Sequence, residues 1–175
     1  MGARRFLGRL VGAGAALVVA VLALVAPAAA ATTGATAGAI TVKPLSVVKI
    51  EDLDFGTLIA GTTAGTAVVN PNTDARTTTG GVLGAGGVPN AARFFSYATA
   101  GRVLSVTTSG YPIVLTRSGG GGTMEIPQLV LNGNTLRVVG TTGVLDLRVG
   151  GTLNVGANQA PGAYAGTFDI IVNYF

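Results

Sequence analysis

Apolar and polar residues alternate most regularly in the last fourteen positions of the chain, Gly162-Ala-Tyr-Ala-Gly-Thr-Phe-Asp-Ile-Ile-Val-Asn-Tyr-Phe175. One alternate set, Tyr164, Gly166, Phe168, Ile170, Val172 and Tyr174, is largely apolar, whereas the intervening set, Ala165, Thr167, Asp169, Ile171, Asn173 and Phe175, is more polar. A period of two over that length predicts a half-buried strand with the first set facing a core. A chain that ends in its best strand must embed that strand in a sheet or leave an apolar edge open to pairing.

Upstream, the same period recurs in shorter pieces. Alternation begins at Ile40-Thr-Val42, is interrupted by Pro44, and resumes in shifted phase over residues 45–50, which predicts an edge position or a bulge at the proline. Further strands are expected at residues 57–59, 66–69, 76–79, 92–97, 103–107, 113–116, 124–126, 128–131, 136–139, 144–149 and 152–155. Residues 61–65 and 80–89 read as glycine-rich turn and loop, and Asn70-Pro71-Asn72-Thr73-Asp74 has strong turn chemistry. Apart from the N-terminal run, no segment spaces apolar residues at the helical period, and no repeat of about 20–50 residues is visible. About ten short strands with glycine-rich connections predict an all-β fold, an immunoglobulin-like or pilin-like antiparallel sandwich.

The N-terminus departs from this pattern. Arg4, Arg5 and Arg9 precede an apolar run over residues 10–26, and Pro27-Ala28-Ala29-Ala30-Ala31 supplies small residues at a cleavage position. That order is a secretory signal peptide over residues 1–31. A flexible small-residue segment is expected over 32–39, and a single sandwich domain over 40–175. The signal takes three of the eleven basic residues with it, leaving eight basic against seven acidic. No basic stripe remains to track phosphates, so nucleic acid is not an expected partner. With the signal removed, no stable membrane span is expected. Charged residues make up 10% of the chain, well below the usual share of about a quarter, so neutral Thr, Gly, Ala and Val must cover much of the surface.

The chemistry of catalysis is sparse. The chain has no His and no Cys, which removes the commonest general base, the commonest metal ligands and any disulfide. No serine lies in a nucleophile motif, and no glycine-rich loop carries the Lys-Ser/Thr of a phosphate cradle. Asp54, Asp74, Asp146 and Asp169, the carboxylates a glycosidase-like reaction would need, sit in separate segments. Glu51, Asp52 and Asp54 could offer oxygen ligands to a Ca²⁺ ion, but a solvated turn with Asx hydrogen bonds explains them better. The expectation is a non-enzymatic protein without catalytic, cofactor-binding or metal-binding residues.

Two resemblances give this reading a direction. The last strand resembles that of chaperone–usher pilins, in which a glycine stands fourteenth from the end and a tyrosine is penultimate, as Gly162 and Tyr174 do here. More of the chain, from about residue 39 onward, is similar to DUF4402, a family of exported bacterial proteins akin to archaic pilins and spore coat protein U. The matching pieces are Asp52-Leu-Asp-Phe-Gly-Thr57, Val69-Asn-Pro71 with Arg76-Thr77, Ala91-Ala-Arg-Phe94, Val149-Gly-Gly-Thr-Leu153 and Gln159-Ala-Pro-Gly-Ala-Tyr-Ala-Gly-Thr-Phe168. The pilin resemblance implies β-strand addition, with backbone bonds giving affinity and alternate side chains filling pockets. It implies an acceptor edge of Gly162, Tyr164, Phe168, Ile170, Val172 and Tyr174, and a donor segment carrying Ile40 and Val42. Identical subunits and a periplasmic chaperone are the implied partners, and the periplasm or cell surface the implied location. The alternative is a self-contained secreted sandwich that binds a glycan or another surface protein through its loops. An outer-membrane barrel does not fit: positions alternate from Phe175 through Asn173 and Asp169, and the strands are short of the roughly 9–11 residues a span needs.

Overall fold

In a computed structural model, which describes residues 38–175, every regular element is a strand. In chain order these are β1 (Ser46–Glu51), β2 (Leu58–Val69), β3 (Arg76–Gly84), β4 (Ala92–Tyr97), β5 (Val103–Ser109), β6 (Ile113–Arg117), β7 (Thr123–Leu131), β8 (Leu136–Val138), β9 (Val144–Val155), β10 (Tyr164–Ala165) and β11 (Asp169–Tyr174). The expected signal peptide and most of the 32–39 segment lie outside the described residues. Among those described, no helix is long and apolar enough to cross a membrane.

All pairing is antiparallel, and it divides the strands into two sheets. The large sheet runs β1-β4-β9-β7-β6-β10, with the β2–β3 hairpin joined to β9. The small sheet is β11-β5-β8. β9 is the hub: its first half pairs with β4, its second half with β2, and β7 lies along its other side. Between the sheets lies one apolar core that includes Ala67, Val69, Phe94, Leu104, Val106, Ile126, Leu147, Val149, Leu153 and Val172. The all-β sandwich expected from the alternation is the fold found.

Several segments read as separate strands are joined into long ones. Residues 58–59 and 66–69 belong to one strand, β2, whose register against β3 shifts between Ala60 and Gly65. β7 runs through Pro127 with a shift between Glu125 and Gln128, and β9 runs through Gly150-Gly151 without a break. β3 extends through Gly84, into the stretch expected to be loop. The glycines misled because they answer crowding between backbones rather than reversal of the chain. A Cβ at Gly65 would stand 2.0 Å from the Thr79 carbonyl oxygen, and one at Gly150 would stand 2.1 Å from that of Val69.

The C-terminal alternation holds along β11. Ile170, Val172 and Tyr174 turn inward, while Asp169, Ile171 and Asn173 are exposed. The strand is not continuous, however. Tyr164-Ala165 pairs with β6 in the large sheet, and the chain crosses at Gly166-Thr167-Phe168 to pair with β5 in the small one. Residues 38–45 belong to no strand, so the expected pairing element at residues 40–42 is absent. Both Ile40 and Val42 are exposed.

Candidate functional site

The two sheets do not cover each other completely. Val47 and Lys49 of β1 pair with Ser96 and Phe94, both buried, and directly opposed residues project to the same face. Their face of β1 should therefore be under the small sheet, yet all six residues of the strand are exposed. Among the described residues no strand covers them: β11 is the last strand of the small sheet, paired with β5 on one side only.

A groove of about 1210 Å³ occupies part of that gap. Its floor is the inner face of the large sheet, with Ala92 and Phe94 from β4, Leu153 and Val155 from β9, Met124 and Ile126 from β7, and Ile113 and Leu115 from β6. One wall is the segment 52–60, which presents Leu53, Phe55, Leu58 and Ala60; the other is 159–168, made largely of small residues and closed by Phe168. Among the described residues the charged side chains in the lining are Lys49, Asp52 and Asp54, and Lys49 Nζ lies 2.7 Å from Asp52 Oδ1. Asp54 Oδ1 accepts a hydrogen bond from Gly56 N at 2.7 Å, the Asx turn expected of the acidic cluster.

Each wall is held by an arginine that bonds to backbone carbonyls. Arg76 donates to the carbonyls of Phe55 (2.6 Å), Thr57 (3.0 Å) and Gly86 (3.3 Å), tying the first wall to the loop after β3. Arg117 donates to Pro161 O (2.7 Å) and Gly120 O (2.9 Å), fixing the second. Five fixed donors on a planar guanidinium suit this task, which a lysine would do poorly. Gly162 sits beside Arg117 with φ of 151°, and a Cβ there would meet Arg117 Nε at 2.7 Å. A glycine at position 162 thus has a local physical cause. Tyr164 reinforces the same wall, since its hydroxyl donates to Ala160 O (2.7 Å) and accepts from Gln159 Nε2 (2.8 Å).

The structure brings together only part of the predicted acceptor set. Gly162, Tyr164 and Phe168 line the groove, and Phe168 packs edge-on against Phe94 with ring centroids 6.3 Å apart. Ile170 and Val172 turn into the core from β11, beyond the groove lining. Tyr174 lies at the far end of that strand, bonded through its hydroxyl to Lys43 O and Thr99 N. Sequence reasoning passed over the first wall, the floor and both arginines. The stretches that carried the resemblance overlap the groove in part: residues 52–57 lie in its first wall, 76–77 include the arginine that clamps it, 91–94 and 149–153 supply some of the floor, 159–168 form the second wall, and 69–71 lie outside the lining.

Comparison with known families places the whole of this region in one family. The profile described as Domain of unknown function (DUF4402) matches residues 45–174. The chain belongs to the DUF4402 family. The match spans both walls and the floor of the groove, so the groove is built wholly from the DUF4402 region. No curated protein and no solved structure gave a match.

Proposed function

We propose that this protein is an exported, non-enzymatic structural subunit, a pilin-like component of a surface fibre assembled by β-strand donation. The observation that carries the reading is a pair of incomplete edges among the described residues: β1 is exposed throughout, β11 is paired on one side only, and a largely apolar groove opens beside them between segments 52–60 and 159–168. An extended segment laid there would cover the inner face of β1, pair with β11 through backbone hydrogen bonds and seat alternate side chains on the floor. The donor is the N-terminal segment of an identical subunit, carrying Ile40 and Val42; both are exposed and in no strand, as a donor's knobs must be. A periplasmic chaperone would protect the groove before assembly, and the finished subunit would reside at the cell surface.

The test is the assembly state of the purified full-length gene product on unboiled denaturing gels beside a Val42→Asp variant. Wild type is expected to give a ladder of heat-dissociable multimers. The variant should lose the ladder while unfolding at the same denaturant concentration, because a charge enters the donor and not the fold. A cooperative monomer that Val42→Asp destabilises would place residue 42 within its own sheet and end the fibre reading.

A further inference from the structure

The geometry points to a selector between self-closure and donation, and this inference rests on the strand-donation reading above: we infer that the Tyr174 hydroxyl and Thr99 latch the backbone of Lys43 so that the preceding residues enter the groove of a second copy rather than their own. The hydroxyl of Tyr174 donates to Lys43 O at 2.8 Å and accepts from Thr99 N at 2.8 Å, and Lys43 N donates to Thr99 Oγ1 at 2.7 Å. Both backbone hydrogen-bonding groups of Lys43 are thereby engaged. Pro44, next in the chain, has no N–H to offer.

Strand directions give this latch its consequence. β11 runs from Asp169, opposite Ser109, to Tyr174, opposite Leu104. β1 runs the other way along the molecule, from Ser46 beside Tyr97 toward Glu51 beside Arg93. Lys43 is therefore fixed at the end where β11 finishes and β1 starts. The groove lies toward the opposite end, past Lys49 and Phe94 to the 52–60 and 159–168 walls. For the preceding residues to fill the groove of their own subunit, the chain would have to reverse at residues 43–45. It would then lie antiparallel to β1 and parallel to β11. That hairpin needs the Lys43 amide and carbonyl that Thr99 and Tyr174 hold, and parallel pairing is the slightly weaker kind per residue. Donation to a second copy needs no reversal. The donor then runs antiparallel to the acceptor's β11 and leaves at the acceptor's groove end, which sets the latch end of one subunit against the groove end of the next. Repetition of that contact makes an open head-to-tail line rather than a closed dimer. Residues 32–42, extended, reach about 36 Å at roughly 3.3 Å each, longer than β11 itself.

The decisive experiment compares the full-length gene product with Tyr174→Phe, which removes only the hydroxyl, and Thr99→Val, which removes the side-chain acceptor of Lys43 N. Each is assayed for multimers by light scattering across a dilution series, for protease cleavage within residues 32–42, and for uptake of a synthetic peptide of residues 32–43. We expect both variants to shift the multimer-to-monomer ratio at least about tenfold toward monomer, the size expected for losing one or two net hydrogen bonds. The monomers should be protected from cleavage in 32–42 and closed to the peptide. Multimers at the wild-type level in both variants would overturn the latch. So would monomers that remain cleavable and take up the peptide, because self-closure would not have occurred; in both cases strand donation itself survives. Wild type that neither multimerises nor takes up the peptide would defeat the donation reading and the latch with it. Should Tyr174→Phe fail to fold, Thr99→Val decides alone, since it leaves the Tyr174 ring in the core.

Discussion

β9 and β11 are made of similar residues and end in opposite circumstances. β9 has neighbours along both sides, and Leu147, Val149, Leu153 and Val155 are buried. β11 has β5 on one side only, although Ile170, Val172 and Tyr174 give it a comparable apolar face. Edge strands are ordinarily guarded by a lysine, a proline, a bulge or short length. β3, an edge of the large sheet, is broken by a register shift opposite β2 and by Gly80 at φ 65°. β11 carries none of these guards: its six residues are Asp-Ile-Ile-Val-Asn-Tyr, with one charge at the first position. The contrast teaches that burial of side chains and satisfaction of a strand's edge are separate matters. One strand has both, and the other has been left half-satisfied beside a groove.

The strongest way to test this contrast is to truncate each strand. Leu147→Ala should cost about 2–5 kcal/mol, because its fully buried site cannot collapse between two flanking strands. Val172→Ala should cost less in the isolated subunit and more once the groove is occupied, when a new neighbour packs along β11. Urea unfolding of monomer and of peptide-loaded protein reads both. Equal losses for Val172→Ala with and without peptide would show that the occupant never reaches β11, and the contrast would then be one of burial alone.

A smaller effect is expected at the groove wall. Gly162→Ala forces a side chain onto a φ of 151° and against Arg117 Nε, at a cost of about 1–3 kcal/mol. Arg117 would have to move, loosening its bond to Pro161 O. Peptide uptake should weaken, while β9 and its neighbours keep their protection from hydrogen exchange. A variant that takes up peptide as wild type does would remove Gly162 from the site.

How much of this was legible follows from what a sequence encodes locally. The alternation of Ile170, Val172 and Tyr174 named the inward face of β11 correctly, since that face is set by the period of the strand itself. The all-β class was legible for the same reason. Strand lengths were not: Gly65 and Gly150-Gly151 look like turns in one dimension and are points of close backbone approach in three. The groove was partly visible through Gly162, Tyr164 and Phe168. Arg76 stood in a stretch that carried the resemblance, but neither its clamping role nor that of Arg117 could be read, because each bonds to backbone carbonyls brought near by the fold, and a carbonyl leaves no trace in a sequence. The one-sided pairing of β11 among the described residues was beyond sequence altogether, since it is a property of how two sheets overlap.

The smallest predicted effect lies on the fully paired side of the molecule and serves as its control. Asp74, at φ 59° in the turn between β2 and β3, accepts a hydrogen bond from Ala91 N at 2.8 Å and pairs with Arg148 of β9. The Ala91 amide, followed by the Arg148 guanidinium, holds its carboxyl below the ordinary value, while partial burial opposes them. The folded state therefore binds the Asp74 proton more weakly than the unfolded state does. Its stabilising contribution is complete above the unfolded-state value, about pH 4, and is lost as the pH falls through the lower folded-state value. Solvent reaches this pair, so the loss should be modest. Asp74→Asn should lower the urea midpoint slightly at pH 7 and make it less sensitive to acid below about pH 4. Peptide uptake should not change, because Asp74 lies outside the groove lining. A variant with wild-type acid sensitivity would relieve Asp74 of this role. One that also lost uptake would mean that the paired side and the open side of the sandwich are mechanically coupled, and the separation drawn between β9 and β11 would have to be abandoned.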